Sequence, residues 1–374
     1  MLRGTDEGDG ADSVPNLPSI PPLQDTRDRP EAQDQIRRLR ALPRAELHVH
    51  LDGSLRPETL LELAEEEGKP LPAWDPEALQ RAMRADNDAD LTQYLSRFET
   101  TLSVMQSAPA LERITRELGE DHAAEGVRYV EIRYSPVLHT REGLTLEEAV
   151  DAPLRGLRAA EAATGIRGNL IICGIRTMDP AVSTGLAELA VAFQGRGVVA
   201  FDLAGGEAGY PAEAHREAFQ RARDANLAVT IHAGEAWGPS SIHQALHRCG
   251  ANRIGHGTRL QEDPALERWV RDFQVPLEIC LTCNVQTRVA PTFGAHPLRR
   301  YFDQGIRLSL CTDNRLMSGV TLVDEYLRAA EHLGFTWEEL TKVARMGFES
   351  AFLPWDEKGT LLAAFDAEVA TLGG

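Results

Sequence analysis

The sequence predicts an α/β protein built on a TIM-type (β/α)8 barrel, with a helical insertion after strand 1 and a disordered N-terminal arm. Two observations favour this fold. About eight short apolar or β-branched runs alternate with segments of helical character, as β/α units do. Several of these runs end in a polar residue and a turn, and the carboxyl ends of barrel strands meet at one face.

The predicted strands share a short, mostly apolar composition. They cover residues 45–51, 127–134, 169–175, 198–203, 228–232, 253–256, 276–281 and 307–311. The segments between them favour helices: residues 212–226 are rich in Ala, Glu and Arg, and residues 322–333 repeat apolar side chains at helical spacing. We therefore expect a parallel sheet with helical crossovers.

The connection after strand 1 is far longer than an ordinary βα loop. It runs from about residue 54 to 126, and residues 91–98 have apolar side chains three and four positions apart. Such residues would pack the insertion onto the barrel. Because the insertion begins in the loop that follows the strand of His48 and His50, we also expect it to form a lid over the carboxyl-end face. Residues 1–40 lack apolar periodicity and predict a disordered acidic arm before a single domain over 41–374.

Composition restricts the class of partner. The 374 residues carry a formal net charge of -18 and contain no dense Lys/Arg cluster, which disfavours nucleic acid and anionic membranes. No segment has the apolar length of a signal peptide core or a membrane span. Five cysteines, an odd number, do not form a secreted disulfide framework. We expect a cytoplasmic protein that binds a small molecule.

The most informative segment contains two histidines. His48 and His50 lie two positions apart in a predicted strand that ends at the turn pair Asp52-Gly53. Alternate side chains of a strand leave the same face, so both imidazoles point the same way. Two such imidazoles make half of a metal site.

Further polar groups follow later strands. They are His232 and Glu235 in His-Ala-Gly-Glu, His256 between two glycines, and Asp313-Asn314. In a barrel these groups converge at the carboxyl-end face and could bind one shared ion. Imidazole and carboxylate ligands suit zinc, iron, manganese and cobalt alike, so the spacing does not identify the metal. On its own, a histidine such as His256 is more commonly a core residue bonded to backbone.

One further pattern, Cys280-Leu-Thr-Cys283, has the spacing of zinc ribbons and thioredoxin-like redox sites. It has no second cysteine pair. Burial of both side chains as small hydrophobic residues is the better interpretation.

Five motifs occur in order along the chain: His48-Val-His50-Leu-Asp52-Gly, Asp202-Leu-Ala-Gly205-Gly-Glu, His232-Ala-Gly-Glu235, Gly255-His256-Gly and Thr312-Asp313-Asn314. Their order and separation resemble those of the adenosine deaminase family of metal-dependent hydrolases, over about residues 45–353. The resemblance implies one zinc ion per chain, held by His48, His50, His232 and Asp313, and a purine nucleoside substrate.

The resemblance also implies the catalytic roles. Glu235 would donate a proton to purine N1 and must therefore be protonated when substrate arrives, while water adds at C6 and ammonia leaves. His256 would accept the proton of the nucleophile or orient it, and Asp313 would align the water. Asp52 would bind ribose, Gly205 would bond the purine through its backbone, and His50 would lie close to both ion and substrate.

The resemblance leaves the substrate less certain than the reaction. Asn314 stands where familiar members carry a second aspartate, and its amide can donate to purine N7. Tyr94, Leu95 and Phe98 resemble an apolar wall over the nucleoside. We expect deamination of adenosine and 2'-deoxyadenosine; adenine, N6-modified adenosine or aminofutalosine are alternatives, as is a non-catalytic nucleoside-binding relative. The oligomeric state is not indicated.

Overall fold

The computed structural model describes residues 30–84 and 97–372. Within them, eight parallel strands pair in sequence order, each with the next. They are β1 Arg44–His50, β2 Val127–Tyr134, β3 Arg167–Ile175, β4 Val198–Ala204, β5 Ala228–Ala233, β6 Arg253–His256, β7 Leu277–Ile279 and β8 Leu308–Leu310. The predicted barrel is confirmed, with strand ends shifted by a few residues at most.

The barrel closes where the segment after β8 meets β1. The backbone N–H of Asp313 donates to the carbonyl of His48 at 2.9 Å, and the N–H of His50 donates to the carbonyl of Asp313 at 2.7 Å. The closure therefore consists of a single parallel bridge rather than a long ladder.

Helices surround the barrel and connect its strands. They are α1 Pro30–Ala41, α2 Pro57–Glu67, α3 Pro76–Met83, α4 Phe98–Ser103, α5 Ala108–Ala124, α6 Leu146–Thr164, α7 Pro180–Ala192, α8 Arg216–Asp224, α9 Pro239–Gln244, α10 Pro264–Asp272, α11 Leu281–Gln286, α12 Leu298–Asp303, α13 Arg315–Ser318, α14 Leu322–Leu333, α15 Trp337–Ser350 and α16 Trp355–Leu372. The helix predicted over 322–333 is confirmed, and the one predicted over 212–226 is a 3-10 turn followed by α8.

Local sequence explains where the longer helices begin. Before α6, the Thr145 hydroxyl accepts the N–H of Glu148, whose carboxylate accepts the N–H of Thr145. The same reciprocal pair, Thr321 with Asp324, begins α14. Such a capping box satisfies backbone donors that the first helical turn leaves without partners.

The last part of the predicted arm is ordered. Helix α1 occupies residues that the sequence analysis assigned to a disordered segment, because Ile36, Leu39 and Leu42 recur at helical spacing and are buried in the core. Residues 1–29 lie outside the described part of the chain, so the prediction for them stays a prediction. None of the described helices combines the length and the apolar composition that a membrane crossing requires.

The insertion after β1 is helical, as predicted, and includes α2, α3, α4 and α5. Of the expected apolar wall, Tyr94 and Leu95 lie outside the described residues. Phe98 begins α4, and its half-buried side chain packs against the core.

The interior of the barrel contains paired charges as well as apolar side chains. Arg253 on β6 donates to Glu278 on β7 at 2.6 Å, to Glu131 on β2, and to the carbonyl of Ser350 at 2.8 Å. All of these side chains are buried. A buried charge is tolerated when it is paired and hydrogen-bonded, so these contacts link strands across the barrel without leaving charges unmatched.

Candidate active site

Four predicted site residues meet at the carboxyl ends of β1, β5 and β8. The Nε2 atoms of His50 and His232 are 3.0 Å apart. A carboxylate oxygen of Asp313 lies 3.4 Å from Nε2 of both His48 and His50. One ligand atom from each of the four residues lies within 4.8 Å of the others. The structure thus brings together the side chains that the sequence analysis placed around one ion.

The donor set fits a divalent metal ion. Nε2 of His48 is buried and has no hydrogen-bond partner in the described part of the protein, although it faces the other three groups. Burial lowers the pKa of His48 well below its ordinary value and that of His50 to about 3, which keeps both imidazoles neutral. Burial opposes ionisation of Asp313, but His256 and His50 outweigh it and hold its pKa below the ordinary value. Neutral imidazoles and an ionised carboxylate are metal ligands.

Two carboxylates orient the histidines. Nδ1 of His48 lies 2.9 Å from Glu278, and Nδ1 of His232 lies 3.0 Å from Asp202. Arg133 donates to both carboxylates, at 2.8 and 2.9 Å. Because an ionised carboxylate accepts at Nδ1, each imidazole carries its proton there and presents a free Nε2 lone pair to the site. Metal ligands in proteins are commonly oriented in this way.

Close packing of the site depends on a small residue in β6. A Cβ added at Gly255 would lie 3.1 Å from Cε1 of His48 and 3.2 Å from Cα of His232. Those separations are tighter than ordinary van der Waals contact. Glycine at this position therefore lets β6 approach both histidines.

Two of the site residues adopt left-handed backbone conformations. The φ angles are 63° at His256 and 60° at Asp313. Such values are uncommon outside glycine and cost roughly 1–3 kcal/mol where the surroundings impose them. His256 is the last residue of β6 and Asp313 lies three residues beyond β8, so both left-handed residues occur where a strand gives way to the loop that lines the site.

Glu235 occupies the loop after β5 and faces His256. Its Oε2 lies 3.6 Å from Nε2 of His256, and its side chain is only 8% exposed. Burial raises the pKa of Glu235 to about 8, with further contributions from the negative charges of Asp313 and Glu207. The carboxyl is therefore protonated at neutral pH, as its predicted role as a proton donor requires.

The loop that carries Glu235 is held by a residue to which the sequence analysis gave no role. The carboxylate of Glu207 accepts the backbone N–H groups of Gly234, Glu235 and Trp237 at 2.7, 3.0 and 2.9 Å. Glu207 follows β4 and is buried. Three N–H donors on one carboxylate fix the main chain from which the Glu235 side chain extends.

The C-x-x-C pair belongs to the wall of this site. Cys280 and Cys283 are buried, and none of the five cysteines, all of which lie in the described part of the chain, forms a disulfide bond there. Sγ of Cys283 lies 3.7 Å from a carboxyl oxygen of Glu235. Cys280 could join His256 and Asp313 around a metal ion, but burial raises the pKa of its thiol well above the ordinary value. A neutral thiol is a poor ligand, so His48, His50, His232 and Asp313 are the better set.

Asp52 and Asn314 lie next to this cluster. Asp52 is buried, burial raises its pKa to about 7, and its Oδ1 has no partner among the residues described. The Asn314 oxygen lies against Gly53, where an added Cβ would come within 1.8 Å of it. This Asn314 oxygen is buried and has no hydrogen-bond partner among the described residues. Gly205 directly follows β4 at the same end of the barrel.

The sequence profile of the adenosine deaminase family matches residues 43–368. The chain belongs to the adenosine deaminase family. It is 44% identical over 334 residues to an adenosine deaminase of Mycobacteroides abscessus, covering 84% of this chain and 92% of that protein. It is also 42% identical over 316 residues to a probable adenosine deaminase of Dictyostelium discoideum, of whose length it spans 41%.

Solved structures agree with this assignment. The adenine deaminase of Arthrobacter aurescens superposes with a TM-score of 0.82 at 30% identity, covering 88% of this chain and 99% of that one. An amidohydrolase of Burkholderia ambifaria with bound Zn superposes with a TM-score of 0.81 at 25% identity, over 90% of this chain and 94% of that one. This member of the adenosine deaminase family is thus a hydrolytic deaminase that uses a metal cofactor.

Proposed function

We propose that the protein catalyses the zinc-dependent hydrolytic deamination of adenosine, and of 2'-deoxyadenosine, to the corresponding 6-oxo nucleoside and ammonia. One observation carries the proposal. A carboxyl that is protonated at neutral pH, Glu235, lies beside a set of groups able to hold a divalent ion. Deamination of a purine at C6 needs a proton donor for N1 next to an activated water, and this arrangement supplies both.

The residues that would hold zinc are His48, His50, His232 and Asp313. Three imidazoles and a carboxylate are common zinc ligands, and the structurally similar amidohydrolase contains Zn. When bound, such an ion lowers the pKa of a coordinated water from about 15.7 toward about 7, which provides a nucleophile at neutral pH.

The protein side chains handle the protons of the reaction. Addition of water at C6 builds negative charge on purine N1, and protonated Glu235 donates to that atom. His256 lies beside the nucleophile, and Asp313 aligns it. The site is largely closed to solvent, which strengthens each of these interactions. Collapse of the tetrahedral adduct breaks the bond from C6 to the amino nitrogen. One proton of the added water leaves with the amino group as ammonia, and the other returns Glu235 to its protonated form.

Substrate recognition falls to the residues at the edge of the site. Asp52 has a buried oxygen without a partner among the described residues, and this oxygen can accept from a ribose hydroxyl. The amide nitrogen of Asn314 donates to purine N7 without having to be protonated, unlike an aspartate. The backbone of Gly205 bonds the purine ring, and His50 contacts both the ion and the nucleoside.

Other 6-aminopurines are the alternative substrates. The similarity to an adenine deaminase favours adenine as a second candidate, because both substrates undergo the same chemistry at C6. The unpartnered oxygen of Asp52 favours adenosine over adenine as the substrate, because only the nucleoside has a ribose hydroxyl that can donate a hydrogen bond to it. A non-catalytic nucleoside-binding relative is disfavoured, since Glu235 and the whole ligand set are present.

The test is a substrate panel with purified, metal-analysed protein. Adenosine, 2'-deoxyadenosine, adenine, N6-methyladenosine and aminofutalosine are followed by ultraviolet absorbance and ammonia release. We expect the highest kcat/KM with adenosine. A higher value with adenine would replace the proposed substrate, and nucleoside binding without ammonia release by any compound would contradict catalysis.

A further inference from the structure

A chain of buried hydrogen bonds leads away from the back of His256. Its Nδ1 lies 3.1 Å from the side-chain nitrogen of Asn284 on α11. The side-chain oxygen of Asn284 lies 3.2 Å from Nε2 of His296, and Nδ1 of His296 lies 3.1 Å from the backbone nitrogen of Leu298. The side chains of His256, Asn284 and His296 are all buried.

The direction of every bond in this chain follows from one fixed donor. The backbone N–H of Leu298 can only donate, so Nδ1 of His296 accepts and carries no proton. A neutral imidazole has one N–H, and burial lowers the pKa of His296 to about 3. His296 therefore carries its proton on Nε2 and donates to the oxygen of Asn284.

The same oxygen of Asn284 has a second hydrogen-bond partner in this orientation. The hydroxyl of Thr258 donates to the same oxygen at 2.7 Å. A flipped amide would present its NH2 group to the N–H of His296 and leave two buried donors opposed. An unsatisfied buried donor costs about 1–3 kcal/mol, which excludes the flip. The NH2 group therefore faces His256 and donates to its Nδ1.

We propose that His296 and Asn284 hold His256 in the tautomer that carries its proton on Nε2, and that Asn284 is a positioning residue for the deamination. The proposal rests on the proposed function, since it assigns His256 a role in that reaction. Nδ1 of His256 accepts from Asn284, so Nε2 bears the hydrogen. Nε2 is also the nitrogen that lies 3.6 Å from Glu235, on the side of the reacting groups.

This tautomer decides between the two roles that the family resemblance leaves open for His256. A base needs a free lone pair, and a protonated Nε2 has none on the side that faces the site. His256 consequently donates a hydrogen bond to the attacking oxygen, orienting it and stabilising its negative charge. The proton that the water loses goes instead to Glu235, which is left as a carboxylate once it has donated its own proton to N1.

The most direct test is the tautomer itself. Metal-loaded enzyme labelled with 15N-histidine is examined by long-range 1H–15N NMR, and the His256 signals are identified by their loss in His256→Gln. We expect a protonated Nε2 and an unprotonated Nδ1 in the wild type. An Nδ1-protonated His256 would overturn the proposal. The spectrum is read without turnover, so this outcome is distinct from a failure to deaminate adenosine.

The variant Asn284→Asp tests the positioning role. A carboxylate can only accept a hydrogen bond, so the carboxylate of this variant would place the proton of His256 on Nδ1. We expect kcat to fall by about 10- to 100-fold, the scale for losing a group that orients a reacting residue, and KM to change less. The matched control Asn252→Asp keeps its oxygen acceptor for the N–H of Val229, far from the site, and should change neither spectrum nor kcat. An unchanged tautomer with unchanged kcat in Asn284→Asp would refute the role of Asn284.

His296 provides an independent variant if a carboxylate at position 284 prevents folding. His296→Gln retains an N–H donor for the oxygen of Asn284 and should keep kcat within a few-fold of the wild type, as a retained hydrogen bond would. His296→Leu removes the donor and should lower kcat toward the value of Asn284→Asp. Equal kcat in the two His296 variants would contradict the directed chain.

Discussion

The backbone N–H of Asp313 donates to the carbonyl of His48 at 2.9 Å, so the bridge that closes the barrel joins two residues of the proposed metal site. The neighbouring bond, from His50 to the carbonyl of Asp313, involves a third. The residues that close the barrel are therefore also residues of the proposed metal site. A ligand shared by these residues should stabilise the fold as well as the chemistry.

Metal removal should lower the melting temperature. A ligand that binds only the native state stabilises it by about 2.7 kcal/mol at 100 times its dissociation constant. Scanning calorimetry with and without a chelator measures the effect. Asp313→Ala should lose the metal, the rate and the chelator dependence together. Full metal occupancy and activity in Asp313→Ala would contradict the ligand role of Asp313.

Glu235→Gln should retain metal but lose turnover. Glutamine preserves the size of the side chain and cannot supply the proton for purine N1, so we expect kcat to fall by about a hundredfold or more. Metal content, measured by mass spectrometry, should stay near the wild-type level. The control Glu262→Gln alters an exposed carboxylate paired with Arg259 and should leave kcat unchanged. Substantial turnover in Glu235→Gln would remove Glu235 from the mechanism.

The stability of the metal-free protein should depend on pH through Glu235. Folding raises the pKa of this carboxyl from 4.5 to about 8. Below pH 4.5 it is protonated in both states and contributes nothing. Between 4.5 and about 8 unfolding releases its proton, so the free energy of unfolding falls as pH rises.

Comparison with Glu235→Gln isolates this contribution, because other titrating groups cancel in the difference. At pH 8 we expect the free energy of unfolding of the metal-free variant to be higher than that of the metal-free wild type by a few kcal/mol. Each unit by which folding raises the pKa of Glu235 contributes on the order of 1.4 kcal/mol to this difference. The advantage should disappear near pH 4.5. Urea titrations across this range measure it, and a difference independent of pH would show that Glu235 is not the cause.

Gly53→Ala should impair catalysis through Asn314. The added Cβ would come within 1.8 Å of the Asn314 oxygen, which must then move. We expect kcat/KM for adenosine to fall by about tenfold or more, the effect of losing a hydrogen bond of roughly 1.4 kcal/mol, with metal content unchanged. Gly185→Ala, where a Cβ meets none of the described residues within 4 Å, is the control. Unaltered kinetics in Gly53→Ala would show that the position of Asn314 does not matter.

The sequence predicted the barrel and the residues of its centre because both produce local patterns. Alternation of strands and helices and the spacing of His48 and His50 are visible in short windows. Once the strands are parallel and ordered, the carboxyl ends must meet, which brings His232 and Asp313 to the same place. The same argument places Glu235, which follows β5, near this centre.

The supporting residues could not be assigned from sequence alone, because their roles depend on contacts between distant strands. Glu278 and Asp202 are charged residues inside apolar strands, a signal that could have marked them as partners of buried groups. Glu207 and His296 have no such signal. Their roles depend on the direction in which a loop turns, which one sequence does not indicate. Helix α1 was missed because its only large apolar residues, Ile36 and Leu39, follow a long polar segment.

The central claim is that His48, His50, His232 and Asp313 bind one catalytic ion. Anomalous diffraction at the zinc absorption edge from crystals of the metal-loaded protein tests it most directly. We predict a single strong peak about 2.0–2.2 Å from the three Nε2 atoms and a carboxylate oxygen of Asp313. A fully active crystal whose zinc peak lies elsewhere, or which has none, would contradict the claim.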